Sequence, residues 1–306
     1  MANINEINAH KRDALIKFDA GPHKYTCNGE SDYTSVTTWL HSHFKPFDAD
    51  GIIKKMMSNP ERWKKSPYYG KTPEEIKAGW DKNRDEAAEK GTEMHQCIEN
   101  FYLGVNSNQL PPHFMDFVKD HPDLIPYRTE WMIFDEDVRI AGSIDMTGLG
   151  GNPLQPPFET SVTQAIPKIN PNSPQEGVPE GTSPLVLYDW KRCKEIKDTN
   201  SFGEFALTDC IKHLPDTNFW QYSLQLNIYK AILEAKYEKK VAAMYLVCLH
   251  PNLPTYQLLP VPDLSEEIKA LFALRKRQLG VNALQGTSPI NKKEKNKSIT
   301  DYFNKK

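Results

Sequence analysis

Leu185-Val186-Leu187-Tyr188-Asp189-Trp190-Lys191 is an apolar run that ends in a charged pair. In a strand the side-chain period is two, so Leu185, Leu187, Asp189 and Lys191 project from one face and Val186, Tyr188 and Trp190 from the other. Both sets are largely apolar, which predicts a strand covered on both faces. Along the first face the sequence passes from leucine to a carboxylate and an ammonium. Charges buried beside a core are costly unless they pair or hold a metal. An acid-x-Lys triplet is expected about four times by chance in a chain of this composition, and a strand end emerging into solvent would look the same. The meaning of the pair therefore depends on its neighbours.

Upstream, two strands are expected near Tyr127–Phe134 and Val138–Met146, joined by the acidic turn Asp135-Glu136-Asp137 as a hairpin. Residues 150–184 are rich in Pro, Gly, Asn and Ser and have almost no periodicity, so they read as a mobile insertion in a hairpin. Downstream, a helix is expected from about Asp216 to Ala235, then strands at Val241–Leu249 and Thr255–Val261 and a helix opening near Asp263. Nearer the start, His23–Cys27 is a short strand, Asn28-Gly29 a turn and Ser35–Phe44 a helix. Thr72-Pro73-Glu74-Glu75 opens a longer helix: Thr72 caps the first amides, Pro73 suits the first helical position and Glu75 completes a capping box. That helix runs to about Tyr102 with a break near Gly91, and Gly91, His95, Ile98, Glu99 and Tyr102 share an inward face. The order of elements predicts an α/β fold, a central mixed β-sheet flanked by α-helices. The expected divisions are an N-terminal α/β unit over 1–70 packed on the core, the core itself over 71–283, and a basic tail over 284–306.

With 306 residues, 39% of them hydrophobic, and 13 Phe, 13 Tyr and 6 Trp, the chain has material for a sizeable core, which excludes a wholly disordered protein. No apolar run approaches the roughly 18 to 20 residues of a membrane span, and the polar start carries no signal-peptide core, so an intracellular, soluble protein is expected. Cys27, Cys97, Cys193, Cys210 and Cys248 are scattered without a C-x-x-C pair. They are expected to be reduced thiols rather than a disulfide framework or a zinc ribbon. The net charge of −2 requires any nucleic-acid contact to come from local basic patches.

Three further groups bear on the charged strand. Ala141-Gly142-Ser143-Ile144-Asp145 places an acid in an otherwise apolar strand, with Gly142 leaving room beside the backbone. If the two strands are neighbours, Asp145 and Asp189 can approach one divalent cation. A hard cation such as Mg²⁺ takes oxygen ligands of this kind and keeps waters for a substrate phosphate. His95 follows Gly91 by four residues; alone it is equally a core histidine bonded to Glu99 one turn on. Gln221, Gln225 and Tyr229, with Tyr222 nearby, form a polar-aromatic stripe on the later helix, fit either for a core face with satisfied amides or for lining a DNA strand.

Taken in order, Gly91-x-x-x-His95, Gly142-x-x-Asp145, Asp189-x-Lys191 and Gln225-x-x-x-Tyr229 resemble the PD-(D/E)XK nuclease superfamily. The likeness is to its RecB-like exonuclease branch, which includes the CRISPR-associated exonucleases and the mitochondrial genome maintenance exonuclease, and it spans about residues 20 to 260. It implies a Mg²⁺-dependent deoxyribonuclease, with Mn²⁺ able to substitute, acting on DNA in replication, recombination or repair. It also implies His95, Asp145 and Asp189 as metal ligands, Lys191 beside the attacking water with its pKa depressed by cation and burial, and Gln221, Gln225 and Tyr229 supporting the site or the strand. Glu130 is either an outer partner of the metal or a surface strand acid. Some members of the branch hold an iron–sulfur cluster on four cysteines, three of them late in the chain. Here only isolated Cys210 and Cys248 occur late, so no cluster is expected. A structure-specific endonuclease and a catalytically inactive DNA-binding adaptor are the alternatives.

The tail, from Leu284, is Lys-rich and ends in Asn296-Lys297-Ser298-Ile299-Thr300-Asp301-Tyr302-Phe303. One helical turn would bring Ile299, Tyr302 and Phe303 to one side, the short-helix-in-groove mode of recognition. The segment resembles the PCNA-interacting peptide, with Asn296 where Gln is usual, and implies a sliding-clamp partner.

Overall fold

The computed structural model describes residues 2–105, 109–150, 183–200 and 203–284. Most of the Pro-rich segment, and the tail with Ile299, Tyr302 and Phe303, lie outside the described residues. The elements in order are α1 (Ile4–Ile7), β1 (Ile16–Asp19), β2 (Lys24–Cys27), β3 (Thr34–Ser35), α2 (Val36–His41), α3 (Ala49–Met57), α4 (Pro60–Trp63), α5 (Pro73–Tyr102) and α6 (Phe114–Asp120). There follow β4 (Ile125–Asp135), β5 (Ile140–Leu149), β6 (Leu185–Lys191), α7 (Asn218–Lys236), β7 (Val241–Cys248), β8 (Gln257–Pro260) and α8 (Ser265–Leu284).

The fold is α/β with a central mixed sheet packed against helices, strands ordered β3-β5-β6-β7-β8 with β4 also on β5. The expected hairpin forms: β4 runs antiparallel along one edge of β5, from Ile125 opposite Leu149 to Asp135 opposite Ile140. The other edge of β5 is shared. There β3 pairs in parallel with Ile140 and Ala141, and β6 pairs antiparallel with Met146 to Leu149. Gly142 to Asp145 thus face a gap between β3 and β6. Beyond β6 the sheet continues through parallel β7 to antiparallel β8.

Alternation along β6 distributes its side chains as the period of two requires. Leu185 and Leu187 join Val36, Trp39 and Leu40 of α2, Leu224 and Ile228 of α7 and Ile268 of α8 in one core. Val186, Tyr188 and Trp190 join Met94 and Ile98 of α5 and Phe114 and Phe117 of α6 in the other. Leu187 is wholly buried, so its truncation to alanine would cost about 2–5 kcal/mol. This two-sided packing fixes β6, and with it the positions of Asp189 and Lys191.

Helix α5 begins as its sequence predicts. Thr72 Oγ1 accepts from Glu75 N and the Glu75 carboxylate accepts from Thr72 N. The expected break at Gly91 does not occur; α5 is one helix of 30 residues. A glycine costs a helix about 1 kcal/mol against alanine, and burial of Ile76 near one end and of Met94 and Ile98 near the other holds the element together. Helix α2 is shorter than expected, ending at His41, where Ser42 Oγ donates back to the Trp39 carbonyl. No helix among the described residues is long and apolar enough to cross a membrane.

Candidate metal centre

The β5–β6 ladder stops at Met146 opposite Tyr188, one residue short of Asp145. Side chains take over from there. Asp145 Oδ2 accepts from Trp190 N at 2.8 Å, replacing a ladder bond. The Trp190 carbonyl lies 3.0 Å from His95 Nε2. A carbonyl only accepts, so Nε2 carries the proton. Nδ1 then faces two carboxylates, Glu130 Oε1 at 3.4 Å and Asp145 Oδ2 at 3.6 Å. Helix α5, β4, β5 and the β6 backbone meet at this point. His95 is therefore not bonded to Glu99, whose carboxylate accepts from Gln96 instead.

Glu130 reaches the site through the register of the hairpin. Thr129 pairs with Met146 and Trp131 with Ile144, which leaves Glu130 opposite Asp145 on the same face. Its φ of 46° is left-handed, a conformation costing a non-glycine residue about 1–2 kcal/mol. Ser143 Oγ, two residues before Asp145, donates to Glu130 Oε2 at 3.0 Å and holds the carboxylate in place. Sequence reasoning left Glu130 between an outer partner and a surface acid. Counting back from the acidic turn with Asp135 opposite Ile140 would have set it against Asp145.

Asp189 and Lys191 lie on the α7 side of β6, Asp189 buried and Lys191 partly buried. Lys191 Nζ is 2.7 Å from Asp189 Oδ2 and 4.3 Å from the centroid of the Tyr222 ring. That ion pair is the one contact that offsets the burial of Oδ2, which has no other hydrogen-bond partner among the described residues. Burial pushes the Asp189 carboxyl above its ordinary range, Lys191 opposes that rise and Asp145 adds to it. Burial also raises Asp145, against the pull of His95. For His95 burial acts downward, but Asp145 and Glu130 outweigh it and hold the imidazole pKa up at about 9. For Lys191 the expected lowering by burial is present, and the share expected from a cation would come from a bound metal rather than from these side chains. Burial lowers its pKa, but the neighbouring Asp189 and Asp145 prevail and the net direction is upward.

These residues fit a small hard divalent cation. One ligand atom each from His95, Glu130 and Asp145 falls within 4.8 Å of the others. An octahedral ion with bonds of about 2.1 Å sets adjacent ligands roughly 3 Å apart, near the 3.4 and 3.6 Å separations around Nδ1. The bond from His95 Nε2 to a backbone carbonyl is the outer contact that orients a histidine ligand. Asp189 Oδ2, held by Lys191 alone, offers a further oxygen, although Asp189 is not part of the triad.

The α7 stripe is placed deeper than a strand-lining role requires. Gln221 and Gln225 are 9% and 8% exposed and Tyr229 only 2%. Gln225 Nε2 donates to Tyr229 Oη at 3.2 Å, and Gln221 Nε2 donates to Asp216 Oδ1 at 2.6 Å. Gly142 explains Tyr229: a Cβ at position 142 would lie 2.7 Å from the Tyr229 ring. The tyrosine thus packs in the gap between β3 and β6, beside Asp145, and supports the site from below. Cys248 is not isolated either, since its Sγ is 3.3 Å from Cys193 Sγ.

No model of a known protein family matches this chain, and no curated protein matches it.

Proposed function

We propose that this protein is a divalent-metal-dependent deoxyribonuclease that hydrolyses DNA phosphodiester bonds from strand ends, as its resemblance to the RecB-like branch implies. The observation that carries the reading is the convergence of His95, Glu130 and Asp145 beside the Asp189–Lys191 ion pair, where carboxylates outnumber cations. Mg²⁺ or Mn²⁺, when bound, supplies a Lewis acid for the scissile phosphate and a water of lowered pKa. Asp145 and Glu130 provide oxygen ligands, and His95 provides Nδ1 because Trp190 O fixes its tautomer. Asp189 holds Lys191 charged, so Lys191 acts as a hydrogen-bond donor to a phosphate oxygen or to the attacking water. It thereby stabilises the charge that gathers around phosphorus. Tyr222, under the ammonium, limits where that donor can point.

The test is cleavage of end-labelled linear and closed circular single-stranded DNA with Mg²⁺, Mn²⁺ or EDTA, beside Asp189→Ala. Metal-dependent loss of the linear strand only, abolished in the variant, is the expected result. Cutting of circles would replace the exonuclease by an endonuclease. A folded wild-type chain that cuts neither substrate with either metal would overturn the nuclease reading in favour of a DNA-binding adaptor.

The tail motif supports a second part of the proposal, tethering to a sliding clamp through Ile299, Tyr302 and Phe303. Removing residues 296–306 should leave cleavage of naked DNA unchanged and weaken clamp binding. Unchanged clamp affinity would remove the tether.

A further inference from the structure

Residues 51–71, covering most of α3, all of α4 and the approach to α5, carry a charge unlike that of the whole chain. Lys54, Lys55, Arg62, Lys64, Lys65 and Lys71 stand against Glu61 alone, in a protein of net charge −2. Lys64 is paired with Glu61. Among the described residues no carboxylate is in ion-pair range of Lys54, Arg62, Lys65 or Lys71. Aromatic rings are interleaved with these cations: Tyr69 is 56% exposed, and Trp63 is half-buried with its ring 6.1 Å from that of Tyr69. Exposed rings among unpaired cations fit a nucleic acid whose bases are free to stack, and so a single strand rather than a duplex.

The segment is fastened to the helix that carries His95. Trp80 of α5 donates to Tyr68 Oη at 2.9 Å, and Lys77 is paired with Asp50 at 2.8 Å. At 100° per residue, Trp80, Arg84, Ala88, Gly91 and His95 fall within about 80° of one another on α5. Glu86, Glu89 and Glu93 fall on the opposite half, while Asp81 sits at the edge of the face and is paired with Arg84. Gly91 keeps the face open, since a Cβ there would meet nothing within 4 Å. Fifteen residues at 1.5 Å each put His95 about 22 Å along the helix from Trp80. A single strand with at least ~3.4 Å per phosphate crosses that distance in at most about six nucleotides.

We infer that the basic, aromatic segment 51–71 is a binding site for single-stranded DNA that feeds the strand along the Gly91 face of α5 to the metal centre. The inference rests on the nuclease reading for the identity of the strand, but its binding arm is read without metal. The measurement is fluorescence anisotropy of a labelled single-stranded oligonucleotide of about 16 nucleotides, in EDTA, at several salt concentrations. The variants are Tyr69→Ala and the triple change of Lys54, Arg62 and Lys65 to alanine, all at exposed positions where folding should survive. The control is the same charge removed elsewhere, by changing Lys11, Lys212 and Lys269 to alanine.

Tyr69→Ala should weaken binding about tenfold. The first triple variant should lower the slope of log affinity on log salt by about 2, and both should raise KM for linear DNA in Mg²⁺. The control should bind like wild type. Binding by the segment variants equal to that of the control would overturn the inference, even if the wild type cleaves DNA. Segment-dependent binding by a wild type that cleaves nothing would uphold this site and remove the nuclease reading instead.

Discussion

The turn and the middle of the β4–β5 hairpin each gather three carboxylates, and only the turn neutralises them. At the turn, Asp135, Glu136 and Asp137 meet three cations. Arg12 lies 2.7 Å from Glu136, Lys276 lies 3.1 Å from Asp137, and Lys236 lies 3.2 Å from Asp137 and 3.6 Å from Asp135. Hydrogen bonds from Lys276 and Lys236 hold the Asp137 carboxyl below its ordinary range, and Arg12 overcomes burial to do the same for Glu136. In the middle of the hairpin, Glu130 and Asp145 meet Asp189 of β6 with a single permanent cation, Lys191. With His95 protonated, as its raised pKa of about 9 requires near neutral pH, the formal charge there is −1; once Nδ1 gives up its proton to a metal it is −2, which one divalent cation cancels. Burial without full compensation raises Asp145 and Asp189. The turn is a cluster complete in itself, whereas the centre keeps a negative charge that its own side chains do not cancel.

The largest expected effect separates the two clusters by activity. Asp145→Asn retains an acceptor for Trp190 N and should fold, yet cleavage should fall on the order of 10³-fold. Asp137→Asn at the turn should leave cleavage rates unchanged. Equal losses in both would dissolve the distinction. Lys191→Ala should keep DNA binding and reduce the single-turnover cleavage rate by about 10²-fold or more; retained cleavage would remove Lys191 from the mechanism.

At the turn the cost should appear in stability instead. Lys236→Ala deprives the buried Asp135 of its cation and should cost about 1–3 kcal/mol in chemical denaturation at neutral pH. Asp135 already has a raised carboxyl pKa through burial, and losing Lys236 raises it further. A folded-state pKa above the unfolded value means the native state binds the proton more tightly, so the deficit should shrink as pH falls through that pKa. A deficit independent of pH would assign the loss to packing. The smallest effect tests what lies beneath the centre. Gly142→Ala drives a methyl group into Tyr229 and should cost about 1–3 kcal/mol, with Tyr229→Phe unable to relieve it because the ring is in the way.

Where the sequence was legible, one periodic signal had one physical meaning. The period of two in Leu185–Lys191 gave both faces of β6, and Thr72 with Glu75 marked the start of α5, because a capping box satisfies amides that have no other local partner. The site was legible for His95, Asp145 and Asp189 as a set of residue types. Their geometry was not, since it depends on β5 and β6 parting after Met146 and on the left-handed turn of Glu130, neither of which has a local signature. For Lys191 the pull of burial was legible, since burial is visible in an apolar strand, whereas the proximity of two carboxylates that oppose it is a tertiary fact. The short helices α3 and α4 have no counterpart among the expected elements, although Asp48 caps α3, Ile52, Ile53, Met56 and Met57 repeat at helical spacing along it, and Asn59 and Pro60 form a cap and first-turn pair. The cations on them are what now distinguish that region.

The most direct test of the charge argument is Mn²⁺ binding to the full chain, followed by the loss of the free-ion electron paramagnetic resonance signal, for wild type, Asp145→Asn and Asp137→Asn. Saturable binding by wild type and Asp137→Asn, lost in Asp145→Asn, is the predicted result. Binding that survives Asp145→Asn, or that is absent from the wild type, would contradict a metal centre at His95, Glu130 and Asp145.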